Sequence, residues 1–462
     1  MTSGDAWDAD ELARAARLAR ELRAQVGADA HIFAARAPGR VNLIGEHTDY
    51  SGLPVLPVAI DRATIVVAAP NMSAELFVRN ADDAWPARTF RIERQIPPFA
   101  TGDWTNYVKA AVQGVIDHFA QRGKNIQQFR GGAMYVDGRV PVAAGLSSSA
   151  ALTVASALAF MAIESLELPL LEAAQMAARS EWYVGTRAGG MDQAASILGQ
   201  RDHALFIEFD PLRVRPVLMP AGAAIVVADS LEVADKSGRV RGEYNRRVVE
   251  CSLAARILGR ALGFDDARVI GDVVKCVDRL DVEQLVRKLA VDSPAELGTD
   301  LHEAARILGL DRDVLARELL GEGPGRIVLD ARPLRILARA RHVLGETERV
   351  MRAVESLEAG RLDEMGLLMN ASHSSLAADF ECSTQRLDVL VEAARRGGAL
   401  GARLTGAGFG GSIVALCRSD DAARVIASLD RDYYAKLGEP AERARAILHA
   451  GPGAGVMELA AA

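Results

Sequence analysis

The amino-acid sequence predicts an α+β fold with two domains. At 462 residues the chain is long enough to bury more than one hydrophobic core. Half of its residues are hydrophobic and a quarter are charged, the ordinary balance of a globular protein. Candidate strands and helices follow one another without a regular strand–helix–strand period, and we find no internal repeat. This mixture favours α+β over a doubly wound parallel sheet.

The first half of the chain predicts strands at its start and buried helices after them. Ile32–Ala37 is an apolar strand candidate ended by Pro38 and Gly39, and Val41–Ile44 follows as a second one. Val55–Ile60 and Thr64–Ala69 are predicted to be paired strands. The other predicted elements are helices over Trp104–Phe119, Ala150–Ile163 and Leu171–Trp182 and a strand over Gly132–Val136.

A change of texture near Pro211–Pro220 places the domain boundary, so we expect domains over residues 1–215 and 216–462. The segment from about residue 265 to 325 is charged, helical and irregular, and we interpret it as an insertion outside the core. The other elements predicted after the boundary are strands over Ala224–Ala228 and Ile413–Cys417 and helices over Glu243–Leu262, Ala338–Ser356, Leu387–Arg396 and Asp420–Tyr434.

The charge balance argues against nucleic acid and membrane partners. The formal net charge is −7, which gives no basic footprint for nucleic acid or anionic lipid. Val140–Ile163 contains no charged residue, but Pro141, Gly145 and four serines divide it into a loop and a buried helix. We therefore expect no membrane span.

The four cysteines suit a reducing compartment. Cys251, Cys276, Cys382 and Cys417 show no CxxC spacing, which argues against structural zinc and a disulfide framework. The N-terminus is interrupted by acidic residues and has no long apolar stretch typical of a signal peptide. We expect a cytoplasmic protein.

A serine-rich loop precedes the predicted helix Ala150–Ile163. It reads Gly145-Leu146-Ser147-Ser148-Ser149-Ala150. Backbone N–H groups at a helix N-terminus can bind phosphate oxygens, and serine hydroxyls can add hydrogen bonds or a Mg²⁺ ligand. The alternative is a serine cap on a buried helix.

A second cluster packs charged and polar side chains into Gly39–Tyr50, directly after an apolar strand. Carboxylates and an imidazole within this short run suit a ligand rich in hydroxyl groups, because each can fix one hydroxyl by a directional hydrogen bond. The alternative is a polar turn whose charges pair with one another.

Two glycine-rich segments complete the set of candidates. Gly189–Gln193 places Asp192 among small residues, where it acts as a base or electrostatic partner, or is simply a turn residue. Arg403–Ser412 contains four glycines around Phe409 and runs into a strand. Such a segment permits close backbone approach to a ligand, or is a plain turn.

Together these four segments resemble the GHMP kinases, which act on sugars and other small metabolites. Gly39–Tyr50 resembles the galactokinase signature in particular, Pro141–Ala150 the phosphate loop, and Leu404–Gly411 the third motif. The similarity covers roughly residues 30–260 and 335–420. It implies an N-terminal lobe like ribosomal protein S5 domain 2 and a ferredoxin-like C-terminal lobe, with the active site between them.

The resemblance also implies a reaction and the residues that carry it. The expected activity is ATP-dependent phosphorylation of the anomeric hydroxyl of galactose by a monomer that binds no nucleic acid and no membrane. Asp192 takes or steers the hydroxyl proton, and Arg40 supplies positive charge. The residues expected to bind the sugar are Glu46, His47, Asp49, Gly189 and Tyr244. Those expected to bind ATP are Gly145, Leu146, Ser147, Ser148, Ser149 and Ala150.

Magnesium and adenine sites follow from the same resemblance. Ser148 and Glu181 are the expected Mg²⁺ contacts. Trp104 either lines the adenine pocket or is a buried aromatic that anchors a helix.

The identity of the sugar is left open by the sequence. Ile207–Arg213 and the 265–325 segment resemble the branch of N-acetylgalactosamine kinases and plant-type galactokinases. Galactose is the leading substrate, with N-acetylgalactosamine, galacturonate and arabinose as alternatives. A catalytically silent sugar-sensing regulator is a further alternative, although Arg40, Asp192 and the serine loop are all present.

Overall fold

The computed structural model describes residues 7–71, 73–185, 189–233, 239–292, 298–322, 326–438, 444–447 and 453–459. The chain divides into two compact units. Unit 1 combines Met1–Val41, Pro57–Leu205 and His449–Ala462, and unit 2 combines Asn42–Leu56 and Phe206–Leu448.

Strands and helices are mixed throughout, which confirms the predicted α+β class. The strands are β1 (Ile32–Ile44), β2 (Leu56–Pro70), β3 (Glu75–Asn80), β4 (Arg88–Arg91), β5 (Gly132–Gly138), β6 (His203–Glu208), β7 (Arg213–Leu218), β8 (Ala223–Asp229), β9 (Gly298–Thr299), β10 (Leu334–Arg335), β11 (Gly401–Thr405), β12 (Ser412–Arg418), β13 (Ala444–Ile447) and β14 (Gly455–Leu459). The main helices are α1 (Ala9–Val26), α2 (Thr105–Gln121), α3 (Ser148–Ile163), α4 (Leu170–Ser180), α5 (Met191–Leu198), α6 (Arg239–Ala261), α7 (Ile270–Cys276), α8 (Arg279–Asp292), α9 (Leu301–Leu308), α10 (Arg312–Leu320), α11 (Ile336–Glu358), α12 (Leu362–Ala378), α13 (Gln385–Arg396) and α14 (Ala422–Leu429).

Unit 1 is built on a six-stranded sheet in the order β14-β1-β2-β5-β3-β4. β1 pairs with β14, β2 with β5 and β3 with β4 in antiparallel orientation, whereas β3 and β5 are parallel. Helix α1 begins with a capping box between Asp8 and Glu11 and packs its apolar residues on this sheet. Helix α3 is buried along almost its whole length from Ala150 onward, as its apolar sequence predicts.

Unit 2 contains a four-stranded sheet in the order β11-β12-β8-β13. The pairs β11–β12, β12–β8 and β13–β8 are all antiparallel. Helix α11 lies against both α6 and α12, and α12 also lies against β11. One continuous hydrophobic core joins the sheet to these helices, which gives the side chains on α6 and α11 fixed positions.

Two pairs of predicted strands are each a single strand. Pro38 and Gly39 lie inside β1 rather than ending it. The register of β1 with β14 stops at Arg36, so the missing N–H of Pro38 interrupts no bond of that ladder. Asp61 and Arg62 likewise lie within β2; this strand pairs with β5 from Thr64 onward. The predicted pairing of Val55–Ile60 with Thr64–Ala69 is therefore wrong.

The 265–325 segment is not peripheral to the core. Its described part forms α7, α8, α9 and α10, while residues 293–297 and 323–325 lie outside the described residues. Buried side chains of all four helices, such as Ile270, Val282, Ala305 and Leu315, belong to the hydrophobic core of unit 2. The interpretation as an insertion outside the core is wrong, because each helix is amphipathic and buries its apolar face.

The structural units are discontinuous in sequence. We predicted a boundary after residue 215, and the chain leaves unit 1 for unit 2 between Leu205 and Phe206. Unit 2 also includes the earlier segment Asn42–Leu56. The assignment of residues 1–215 and 216–462 to two kinase lobes stays a prediction. None of the described helices combines the length and the apolarity needed to cross a bilayer.

Candidate active site

A buried ion pair joins Arg40 to Asp192 in unit 1. Arg40 lies on β1, and its Nε and Nη2 atoms lie 2.8 Å and 2.7 Å from Oδ1 of Asp192. Both side chains are buried. Asp192 lies in the first turn of α5, where the helix dipole favours a negative charge. The structure thus brings the two predicted catalytic residues into direct contact.

The same arginine is bonded to the serine-rich loop. Its Nη1 donates to the carbonyl of Gly145 at 2.7 Å, and its backbone N–H donates to the carbonyl of Leu146 at 3.2 Å. Gly39 makes this approach possible, because a Cβ there would lie 2.5 Å from the Leu146 carbonyl oxygen. The Arg40–Asp192 pair and the predicted phosphate loop are therefore connected by direct hydrogen bonds.

The loop Gly145–Ala150 leads into the N-terminus of α3, which begins at Ser148. Ser147 precedes the helix with φ 62°, and its side chain makes no capping hydrogen bond. Within the described part of the chain, the buried Ser147 Oγ has no hydrogen-bond partner. A plain serine cap would bond a backbone N–H of the first turn, so the geometry favours the anion-binding interpretation over the capping one.

Glu181 and Gly189 lie on either side of residues 186–188, which are outside the described residues. Glu181 is buried and begins a 3₁₀ turn that ends at Val184, directly after α4. Tyr183 in this turn donates to the Ile96 carbonyl at 2.9 Å, and burial raises the pKa of its hydroxyl to about 12. The turn is thereby tied to the body of unit 1.

Trp104 is a structural anchor in the described structure. It is buried immediately before α2, and its indole Nε1 donates to the Pro86 carbonyl at 3.0 Å. A buried indole with its N–H satisfied by protein favours the anchoring interpretation over adenine contact.

Glu46 is the centre of a hydrogen-bond network in unit 2. Its Oε2 accepts from Arg403 Nη2 at 2.8 Å and from Asn42 Nδ2 at 3.1 Å, and its Oε1 accepts from the Gly406 N–H at 2.9 Å. Both Glu46 and Arg403 are almost fully buried. The carboxylate is therefore held in one orientation, and it is linked directly to the third motif.

Both ring nitrogens of His47 bond to protein. Nε2 donates to the Ala407 carbonyl at 3.1 Å, and the Tyr50 hydroxyl donates to Nδ1 at 3.0 Å. Burial, followed by the charge on His342, holds the pKa of His47 well below 6.5. A neutral imidazole has one donor and one acceptor, so direct binding of a sugar hydroxyl would require one of these bonds to break.

Aromatic rings surround His47 and locate Tyr244. The ring of Phe380 stacks on His47 with centroids 4.4 Å apart. The ring centroid of Tyr244, on α6, lies 5.7 Å from the ring centroids of both His47 and Tyr50. Asp49 opens a 3₁₀ turn just before Tyr50 and is buried. The structure thus gathers the predicted sugar residues Glu46, His47, Asp49 and Tyr244 within unit 2.

Two residues that fix this region were missed by sequence reasoning. Glu346 on α11 accepts from the Gly45 N–H at 2.9 Å, and His342 one turn earlier donates through Nε2 to the Glu46 carbonyl at 3.0 Å. Both are fully buried. Glu346 and His342 are polar residues on the apolar face of a predicted helix, which could have marked them as important. Nothing in the sequence indicates the groups that they bond to.

The third motif approaches protein backbone rather than open space. Gly408 has φ 74°, and a Cβ there would lie 2.4 Å from the Cys382 carbonyl oxygen. The next residue, Phe409, donates its N–H to the same oxygen at 2.7 Å. The glycine that was expected to admit a ligand is needed for this contact.

The donor set fits ATP and a loosely coordinated magnesium ion. The N-terminus of α3 and the Ser147 hydroxyl offer donors to phosphate oxygens. Among the described residues there is no group of three or more His, Cys, Asp or Glu side chains able to enclose a metal. Mg²⁺ typically uses one or two protein oxygens together with substrate phosphates and water, so Ser148 and Glu181 are chemically suitable ligands.

Comparison with protein families gives three matches in chain order. The galactokinase galactose-binding signature matches residues 21–70. The N-terminal domain of GHMP kinases matches residues 106–200, and the C-terminal domain matches residues 353–436.

Two curated relatives match over most of their length. A galactokinase of Dictyostelium discoideum is 35% identical over 445 residues, covering 89% of this chain and 86% of the relative. A galactokinase of Chloroflexus aurantiacus is 36% identical over 412 residues, covering 87% of this chain and 88% of the relative.

Solved structures share the fold. The crystal structure of Lactococcus lactis galactokinase complexed with galactose superposes with a TM-score of 0.72 at 26% identity, covering 95% of this chain and 99% of the other. A mevalonate kinase of Methanococcus jannaschii gives a TM-score of 0.56 at 17% identity, covering 90% and 98%. The second likeness concerns the fold alone.

Proposed function

The chain belongs to the galactokinase family of GHMP kinases, and from that premise we propose how its residues transfer a phosphoryl group from ATP to the anomeric hydroxyl of galactose. The observation that carries the assignment is the galactose-binding signature over residues 21–70. Arg40 belongs to this segment, and its side chain contacts Asp192. N-acetylgalactosamine, galacturonate, arabinose and a silent regulator are not favoured, since the curated relatives are galactokinases.

The catalytic step assigned to Arg40 and Asp192 is activation of the C1 hydroxyl. Its oxygen forms a bond to the γ-phosphorus, the bond from that phosphorus to the bridging oxygen breaks, and ADP leaves. Asp192 accepts or steers the hydroxyl proton. Arg40 orients Asp192 through the contacts at 2.7 Å and 2.8 Å and offsets negative charge as the phosphoryl group moves.

The phosphate loop holds ATP, the phosphoryl donor. We assign this role to Gly145–Ala150 because the first turn of α3 presents backbone N–H groups. The Ser147 hydroxyl, which has no partner within the described residues, is available to a phosphate oxygen. The bond from Arg40 to the Gly145 carbonyl couples the position of this loop to the catalytic pair.

We propose Ser148 and Glu181 as the protein ligands of Mg²⁺. When bound, the ion neutralises charge on the phosphates. Glu181 is buried in the 3₁₀ turn directly after α4, and its carboxylate is an oxygen ligand of the kind that Mg²⁺ prefers. The role of the chain is to hold these two oxygens in place.

The sugar-binding roles are assigned with one change from the expectation. Asp49, Tyr244, the Gly189 backbone and the Glu46 carboxylate bind hydroxyl groups. His47 instead acts as a positioning residue, because its two nitrogens hold Tyr50 and Ala407. Preorganised side chains of this kind bind a rigid polyol with little loss of conformational entropy.

We also propose that the enzyme is a cytoplasmic monomer. None of its four cysteines forms a disulfide, and three of them are buried. Burial raises the pKa of the Cys251 and Cys382 thiols to about 12, which suits reduced structural cysteines.

The test is a coupled ADP-release assay with ATP and Mg²⁺ across galactose, N-acetylgalactosamine, galacturonate, arabinose and glucose. Fast turnover that is selective for galactose is the expected result. Preference for N-acetylgalactosamine would overturn the substrate while keeping the chemistry. Absence of turnover with every sugar, in protein shown to bind ATP, would overturn the activity.

A further inference from the structure

Unit 2 contains a cavity of about 510 Å³ that has no role in the proposed reaction. The volume falls within the range of small-molecule sites, about 300–1,000 Å³. Five arginines line it: Arg246, Arg247, Arg332, Arg335 and Arg339. None of the predicted catalytic, phosphate-binding or sugar-binding residues is among its lining residues.

The inner wall consists of three buried arginines with fixed orientations. Glu250, fully buried on α6, accepts from Arg339 Nε at 2.6 Å and from Arg246 Nε at 3.1 Å. Arg247 donates to the carbonyls of Phe380 and Glu381, at 2.8 Å and 2.9 Å, and its Nη1 donates to Glu243 at 3.4 Å. Guanidinium groups held in this way are preorganised for an anion, since little conformational entropy is lost on binding.

Positive charge exceeds negative charge among the lining residues. Five arginines face three glutamates, Glu243, Glu250 and Glu381. Asp330, which pairs with Arg246 and Arg332, raises the acidic side to four. Burial, followed by the charge of Arg339, lowers the pKa of Arg247, although the charge of Glu250 acts in the opposite direction. Buried charges of the same sign are costly without a counter-charge. This local excess of positive charge lies in a chain whose formal net charge is −7.

The outer wall is more accessible. The side chains of Arg332 and Arg335 are 56% and 37% exposed, so an anion can reach them from solvent. Both belong to the segment that leads into α11. Arginine binds phosphate oxygens in a bidentate manner, and two exposed arginines in front of a buried one suit a group with several equivalent oxygens.

The cavity shares its wall with residues of the sugar-binding region. The Arg247 guanidinium lies 5.4 Å from the ring centroid of Phe409 in the third motif. Its Nε bonds to the carbonyl of Phe380, whose ring stacks on His47. An occupant of the cavity would therefore contact the elements that hold the sugar-binding side chains.

We propose that this cavity is a second anion site that binds a phosphate monoester dianion or inorganic phosphate through Arg247, Arg332 and Arg335. The site is separate from the phosphate loop of unit 1 in residue composition, and its existence does not depend on the proposed reaction. A sugar phosphate and free phosphate share the chemistry that these arginines recognise.

The experiment is calorimetric titration with inorganic phosphate, and in a second arm with galactose 1-phosphate, at constant ionic strength. The test variant is R332A/R335A. The matched control is R352A/R361A, which removes two arginines that are each 52% exposed and paired with Glu364. We expect the test variant to lose at least about tenfold in phosphate affinity, and the control to match the wild type. The KM for ATP should be unchanged in both.

A gain of affinity separates the proposal from misfolding. Glu243 pairs with Arg332 and Arg247, so E243Q should increase the positive excess and tighten phosphate binding several-fold. Galactose 1-phosphate that binds more tightly than phosphate, and loses this advantage in R332A/R335A, would identify a sugar phosphate as the occupant. Equal affinities for the two ligands would identify phosphate. Wild-type affinity in both R332A/R335A and E243Q would overturn the proposal. Absence of phosphate binding to the wild type would also overturn it.

Discussion

Arg40 and Asp192 lie 152 residues apart in sequence, yet two guanidinium nitrogens of Arg40 are within 2.8 Å of one carboxylate oxygen of Asp192. The pair is buried, and the same arginine bonds to the carbonyl of Gly145. The bonds of Arg40 thus connect Asp192, the proposed proton acceptor, to the proposed phosphate loop. Positioning and charge neutralisation are the main requirements of phosphoryl transfer.

Removal of the Asp192 negative charge should abolish most of the activity without unfolding the chain. D192N keeps an oxygen that can accept from Arg40, but it cannot take a proton, so we expect kcat to fall by about 10²–10⁴. The measurement is steady-state ADP release together with a thermal melt. The control is D117N, at an exposed aspartate of α2 that pairs with Arg94. A kcat within a few-fold of wild type in D192N would remove Asp192 from the mechanism.

Loss of the Ser147 hydroxyl should weaken ATP binding specifically. Ser147 Oγ and Ser156 Oγ are both buried without a partner among the described residues, but only Ser147 lies in the phosphate loop. We expect S147A to raise the KM for ATP by about tenfold or more, which corresponds to the loss of one hydrogen bond to a charged group, with the KM for galactose unchanged. S156A, farther along α3, should leave both KM values unchanged. Equal effects of the two variants would contradict the assignment.

The buried pair of Arg403 and Glu46 should be far more important for stability than an exposed pair of the same kind. R403M leaves Glu46 as a buried carboxylate without its cation, so we expect a loss of about 3–5 kcal/mol in the free energy of unfolding. R418M breaks the exposed pair with Asp363 and should cost less than about 1 kcal/mol. Urea denaturation measures both, and similar losses would show that the Glu46 network does not hold unit 2 together.

Acid should destabilise the protein through its buried histidines. Burial lowers the pKa of His342 from 6.5 to about 4, although the carboxylate of Glu346 acts in the opposite direction. The unfolded state therefore binds a proton below pH 6.5 that the folded state does not bind until about pH 4, so stability falls as the pH falls through this window. At pH 5 the loss from His342 is about 2 kcal/mol, and His47 acts in the same direction.

The variant H342Q tests this assignment, since glutamine can still donate to the Glu46 carbonyl but does not titrate. Denaturation at pH 7 and pH 5 should show a smaller decrease in stability for H342Q than for the wild type. H31Q, at a histidine with 78% side-chain exposure, should keep the wild-type decrease. The measurements stay above pH 4.5. Burial raises the pKa of Glu346, but the charge of Arg349 and other groups lowers it to about 2, so below pH 4.5 this carboxylate also contributes to the loss of stability. An unchanged decrease in H342Q would contradict the assignment.

Local pattern was sufficient for the position of each motif and for helices such as α2 and α3, whereas α5 and α12 were not predicted. The periodic apolar residues of α2 and the uninterrupted apolar run of α3 predict their structures directly, because a helix that buries one face or all faces must show this in its sequence. Strand boundaries were less well predicted. Pro38–Gly39 and Asp61–Arg62 resemble chain turns, but both lie within long strands, since a ladder needs only the N–H groups that face a partner strand.

The amino-acid sequence by itself determined the family, the α+β class and the segments that carry the chemistry. Only the tertiary structure decided which polar groups meet. Arg403 reaches Glu46 across 357 residues, both nitrogens of His47 bond to protein, and the helices between residues 265 and 325 join the core of unit 2. The physical reason is that the orientation of a buried hydrogen bond is set by the packing of distant elements around it, whereas helix formation and turn chemistry are set by neighbouring residues.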